Sequence, residues 1–142
     1  MIQDHGNLTV DGVRAAIETV LQQMGYIIEE SRKSSDAWIV KHGSATIQIM
    51  YHEHSGFIMS DVSMCTLPNK IEYDILTFLM QQNNILTGLT LSIYDDKILL
   101  SILIHDQSIH VDTMLKLLQR QVNIADRLDN ILIEKYGADW ND

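Results

Sequence analysis

Cysteine, proline, aromatic side chains and clustered positive charge are all scarce in this chain, and each scarcity removes a class of protein. Cys65 is the only cysteine among 142 residues, so no intramolecular disulfide can form and a disulfide-stapled scaffold is excluded. Its place near the end of an apolar strand predicts a buried, inert thiol. Pro68 is the only proline and marks one break in the middle of the chain. With aromatics at 6%, aliphatic Ile, Leu, Val and Met must do most of the packing.

Nineteen acidic residues stand against ten basic ones, for a net charge of −9. No basic cluster is longer than Arg32-Lys33. Neutralising phosphates requires grouped cations, so no nucleic-acid partner is expected, and an anionic membrane surface is disfavoured. Ile75 to Tyr94 carries no charge, but Gln81, Gln82, Asn83, Asn84 and Gly88 interrupt it. That is too polar to span a bilayer. Met1 to Asn7 lacks the charged-then-apolar layout of a signal peptide. These features together predict a cytoplasmic protein.

What is present reads as one α+β domain over residues 1–142, with 46% hydrophobic and 20% charged residues. Thr9 is a plausible N-cap. Val10, Val13, Ile17, Val20, Leu21 and Met24 then recur at helical spacing, and Gly25 closes the helix. From Tyr26 the period changes to two. Tyr26–Lys33, Ala37–His42, Ser44–His52 and Phe57–Cys65 read as strands of an antiparallel meander with one covered face. Asn69 is expected to cap a second helix with Ile71, Ile75, Leu76, Phe78 and Leu79 on its buried side, ending at Asn83-Asn84.

A hairpin follows, from Leu89 to Tyr94 and back from Lys97 to His105 across Asp95-Asp96. In the return strand Ile98, Leu100, Ile102 and Ile104 point one way, and Leu99 and Leu103 the other. A strand apolar on both faces must be covered on both. The last element, about Ile109 to Tyr136, carries a continuous stripe through Val111, Met114, Leu115, Leu118, Val122, Ala125, Leu128, Ile131 and Leu132, widened by Leu117, Ile124 and Ile133. Residues 137–142 read as a tail. The expected order is α-β-β-β-β-α-β-β-α, an antiparallel sheet with helices packed on one face.

That order resembles the type III secretion chaperone-like fold, and within it the bacterial YbjN family. Leu79-Met80-Gln81-Gln82-Asn83-Asn84 resembles the family's helix-ending leucine and asparagine. Leu89-Thr90-Leu91-Ser92-Ile93 with Lys97-Ile98-Leu99-Leu100 resembles its hairpin, and Ala125-Asp126-Arg127-Leu128 a pattern in its final helix. The resemblance implies a homodimer that holds unfolded or extended segments of a protein partner, or a regulatory adaptor of related shape. It supplies no catalytic residues.

Chemistry has few footholds. Residues two apart along a strand face one side, so His52 and His54 are candidates for a shared metal, with His42 as a third ligand. They support the alternative reading of a metal-binding enzyme or sensor, against the plainer reading of a polar hairpin end. Asp95, Asp96 and Asp106 lack a glycine-punctuated calcium loop. No nucleophile elbow, dinucleotide fingerprint or phosphate loop is present, so a non-enzymatic protein with no cofactor is expected. Apolar area instead predicts an interface. The expected partner or dimer surface comprises Leu99, Leu103, Leu117, Ile124 and Met59. Met64, Met80 and Met114 are further flexible side chains suited to varied apolar partners wherever they reach the surface.

Overall fold

The first apolar stripe forms a helix because its start is capped and its end is released. In the computed structural model, which describes residues 9–141, α1 spans Val10–Gln23. Thr9 Oγ1 accepts from the Gly12 amide at 3.0 Å, satisfying one orphan donor of the first turn. Val13, Ala16, Ile17, Val20 and Leu21 are its buried side. Gly25 follows with φ 97, a left-handed conformation that costs glycine nothing. Met1 to Asn7, where the sequence shows no signal-peptide layout, lie outside the described residues.

The segment expected as a strand over 26–33 divides in two. Ile28–Ser31 closes one helical turn (α2), and only Arg32–Ser34 is strand (β1). The Ser31 hydroxyl and amide both donate to the Ile27 carbonyl, at 2.8 and 3.1 Å. Such back-bonding competes with an extended chain. The turn buries Ile28 while leaving Glu29 and Glu30 in water. Period-two spacing of Tyr26 and Ile28 alone does not reveal it.

The sheet is antiparallel throughout. β2 (Ala37–His42), β3 (Ala45–His52), β4 (Phe57–Thr66), β5 (Thr90–Tyr94) and β6 (Lys97–His105) stand in the order β1-β2-β3-β4-β6-β5. Helix α3 (Tyr73–Ile85) lies beside β5, and α4 (Val111–Tyr136) crosses β4 and β6 while packing on α1. This is the expected α+β architecture, with α1 and α4 on one face. Trp38, Ile49, Ile58, Met64, Ile98, Leu100, Met114, Leu128 and Leu132 fill the space between sheet and helices.

Three local features differ from expectation. Helix α3 begins at Tyr73 rather than after Asn69, because Leu67 is buried and its amide donates to the Asp96 carbonyl at 2.7 Å, holding the chain extended there. The tail is not loose. After Gly137 (φ 74), Asp139–Trp140 (β7) pairs with Thr66 and Cys65 of β4, beyond the reach of β3. The Asn141 carboxamide secures this strand by donating to the Ser63 carbonyl at 3.0 Å and accepting from Thr66 Oγ1 at 3.0 Å. Lastly, the stripe of α4 contains a polar residue: Gln121 is fully buried, accepting from Ser60 Oγ and donating to the Ser60 and Leu100 carbonyls at 2.8–2.9 Å.

Candidate protein-binding surfaces

The pleat sends every second residue of the central strands away from the helices. Register then assembles these residues into rows. Ala37, Met50, Met59 and Leu103 are cross-strand neighbours, forming an apolar band over β2, β3, β4 and β6. The adjoining row is His52, Phe57 and His105, with the His52 and Phe57 rings 5.4 Å apart. Beyond the band the face turns polar through Gln48, Asp61 and Ser101, then mixed through Thr46, Ser63 and Leu99. Met50 is 38% and Leu103 45% exposed, so no element among the described residues covers the band.

Of the five residues expected at a partner or dimer surface, Leu99, Leu103 and Met59 lie on this one face of the sheet. Leu117 and Ile124 do not join them. Both lie on α4 in the other layer, half-buried against the core. A wide helical stripe shows how much of a helix is apolar, not which neighbour covers it. Met64 and Met114 are also core residues.

A second uncovered apolar surface lies on α3; it includes Leu76, expected on the buried side, and Met80, the one methionine of this helix suited to a partner on reaching the surface. Tyr73, Leu76, Met80 and Ile85 are 83, 39, 74 and 68% exposed. With Thr77, Gln81 and Asn84 they line a cleft of about 790 Å³. Leu76 and Met80 also border a neighbouring groove of about 300 Å³ against Leu91 and Ile93 of β5. The exposure follows from packing: α3 buries only Ile75 and Leu79, because it sits beside the sheet edge rather than over the face.

Asn83 fixes that placement. Its carboxamide donates to the Leu91 carbonyl at 3.0 Å and accepts from the Leu91 amide at 2.6 Å, doing for edge strand β5 what a neighbouring strand would do. We expect Asn83→Leu to cost about 1–3 kcal/mol by orphaning this pair. Denaturant unfolding measures the cost, and hydrogen exchange should rise first at the Leu91 amide.

The metal reading finds no ligand set. His54 falls in the turn after β3, so strand alternation does not align it with His52. His42 stands at the far end of that hairpin, beside Ala45, about 20 Å away by strand rise. Its Nε2 instead contacts Asp126 Oδ2 at 3.1 Å. Among the described residues no group of three or more His, Cys, Asp or Glu side chains could hold a metal ion.

Other titratable groups have structural partners. Tyr51 donates to Asp106 at 2.9 Å, and burial together with that bond pushes its phenol up to about 12. Arg32 and Trp38 both donate to the Glu18 carboxylate, holding it below the usual range, the Arg32 bond contributing most. Burial raises the Cys65 thiol to about 12, which leaves it protonated and inert at neutral pH. Asp129 stands apart: 5% exposed, with no side-chain donor or cation bonded to it among the described residues. Burial, then the neighbouring Asp126 charge, pushes it up to about 6.

No helix among the described residues is long and apolar enough to cross a membrane. No protein-family model and no curated protein sequence matches the chain. Solved structures do match in shape. A chain of the ExsC–ExsE complex superposes with a TM-score of 0.67 at 10% identity, over 87% of this chain and 95% of that one. A chain of the ExoU–SpcU complex from the type III secretion system of Pseudomonas aeruginosa gives 0.61 at 18% identity, covering 81% and 96%. The Yersinia pestis type III secretion chaperone SycH, in complex with a fragment of YscM2, gives 0.60 at 15%, covering 82% and 98%. The chain has the type III secretion chaperone-like fold.

Proposed function

We propose that this chain is a non-enzymatic, cytoplasmic protein-binding module, a chaperone or regulatory adaptor, acting as a homodimer of single-domain subunits over residues 1–142. One observation carries the reading: two uncovered apolar surfaces on a chain of net charge −9. Exposed contiguous apolar area usually marks an interface. The structures of similar shape contain protein complexes, with ExsE, with ExoU and with a fragment of YscM2. The YbjN-like residues fit the same reading, since Leu79 is buried and Asn83 secures the edge hairpin.

The two surfaces suit different tasks. The α3–β5 cleft is lined wholly by uncharged residues, which is where two strongly acidic chains can meet with least repulsion. A two-fold interface must be self-complementary, and a helix presenting Tyr73, Leu76 and Met80 can pack against its own copy. The sheet face, with Met59, Leu99 and Leu103, then remains free for the partner. Met80→Glu should leave the fold intact and convert the dimer to monomer. Sedimentation velocity at micromolar concentration reads this, and an unchanged dimer would move the interface elsewhere.

A further inference from the structure

Along β4 the helix-free face presents Phe57, Met59, Asp61 and Ser63 in succession. Among the described residues Asp61 is the one carboxylate in the middle of this face. Gln48 and Ser101 flank it in register, and both are neutral. It is only partly exposed, and no cation lies within salt-bridge distance among the described residues. Lys41 and Lys97 border this face, and both are turned elsewhere: Lys41 Nζ donates to Thr46 Oγ1 at 3.0 Å, while Lys97 Nζ donates to Thr66 Oγ1 at 2.7 Å and lies 3.9 Å from Asp96. Asp61, Ser63, Thr46, Gln48, Leu99 and Tyr94 line a cleft of about 410 Å³ with Lys97. One row away lies the apolar band of Met50, Met59 and Leu103.

We propose that Asp61 selects the partner's charge: the sheet face takes an amphipathic helix whose apolar side chains cover Phe57 and Met59 and whose basic side chain reaches Asp61. The inference rests on the protein-binding reading above and adds the partner's chemistry. The spacing follows from geometry. Residues two apart on a strand are separated by about 6.6 Å, and residues four apart on a helix rise by about 6 Å. A helix lying along β4 therefore matches with apolar residues at i and i+4 and lysine or arginine at i+8. A sheet face is ordinarily covered by helices. A cation drawn into a half-sheltered carboxylate is worth more than an exposed ion pair, and the acidic surround favours its approach.

The test uses two alanine- and glutamine-rich helical peptides, each with leucine at its third and seventh positions. One carries lysine at the eleventh position and the other glutamate. Amide chemical shifts of the full chain are followed on titration. The lysine peptide should bind at least tenfold more tightly, with shifts centred on Met59, Asp61 and Leu103. In Asp61→Asn that preference should fall below twofold. For the wild type, salt at about 0.5 M should also erode it, because screening acts within a few ångströms there. Equal binding of both peptides on this face overturns the role of Asp61 while leaving a protein-binding surface. Absence of saturable shifts on the face for either peptide overturns the proposal and the surface together.

Discussion

Replacing Gln121 by leucine should lower the melting temperature by roughly 10 °C, a large effect for a change that keeps volume and removes only polarity. Gln121 is fully buried and ties α4 to two strands at once, through Ser60 on β4 and Leu100 on β6. Each of its three bonds contributes about 1 kcal/mol net, and the Ser60 hydroxyl, also fully buried, would lose its acceptor at a further cost. The total is about 3–4 kcal/mol. The two carbonyls can keep ladder partners, so the Ser60 hydroxyl is the group left without one. The double variant Gln121→Leu with Ser60→Ala should accordingly recover about 1 kcal/mol, because both polar groups are then absent. Calorimetry of the four proteins closes the cycle, and simple additivity would mean that the pair does not act as a unit.

The Asp129→Asn variant should gain stability over the wild type as pH rises, reaching an advantage of roughly 2–3 kcal/mol at neutral pH. The sign follows from proton binding. The folded carboxyl titrates at about 6 against an ordinary value of 3.8, so between those values the folded state holds a proton that the unfolded chain has lost. The stability contributed by Asp129 is fully present below about pH 4 and is lost as pH rises through about 6. Burial is the main cause and the Asp126 charge the second, while a backbone hydrogen bond at Asn130 and then His42 draw the other way. Urea unfolding of both proteins at one protein concentration, from about pH 4 to pH 7, should show the gap opening chiefly between those limits. A gap of constant size would show that Asp129 does not titrate differently in the folded chain.

These two residues show where sequence patterns stop carrying information. The stripe of α4 is legible because Met114, Leu118, Val122, Ala125, Leu128 and Leu132 repeat at helical spacing and all are buried. Gln121 and Asp129 interrupt the same stripe, and their burial depends on what faces them, which periodicity does not encode. The meander from Ala37 to Thr66 is legible through alternation and the turns at Gly43 and Gly56. The Ile28–Ser31 turn is not, since a single helical turn is too short to show a period and its one side-chain hydrogen bond comes from Ser31. Strand β7 is equally hidden, because two residues carry no period.

The uncovered apolar surfaces are half legible for a related reason. Leu99 and Leu103 oppose Ile98 and Ile102 along one strand, so alternation alone places them on the far face. The exposed side of α3 was hidden because Leu76 and Met80 lie near Ile75 and Leu79 in a short apolar stretch. A helix over the sheet face would bury all four; one beside the edge buries two.

Sedimentation velocity across about 1–100 μM, with wild type beside Met80→Glu, tests the central idea that uncovered apolar surface seeks another chain. A wild-type species of twice the 16.2 kDa subunit, reduced to one subunit in the variant, is the expected result. A wild-type protein that sediments as a single subunit over the whole range would contradict it.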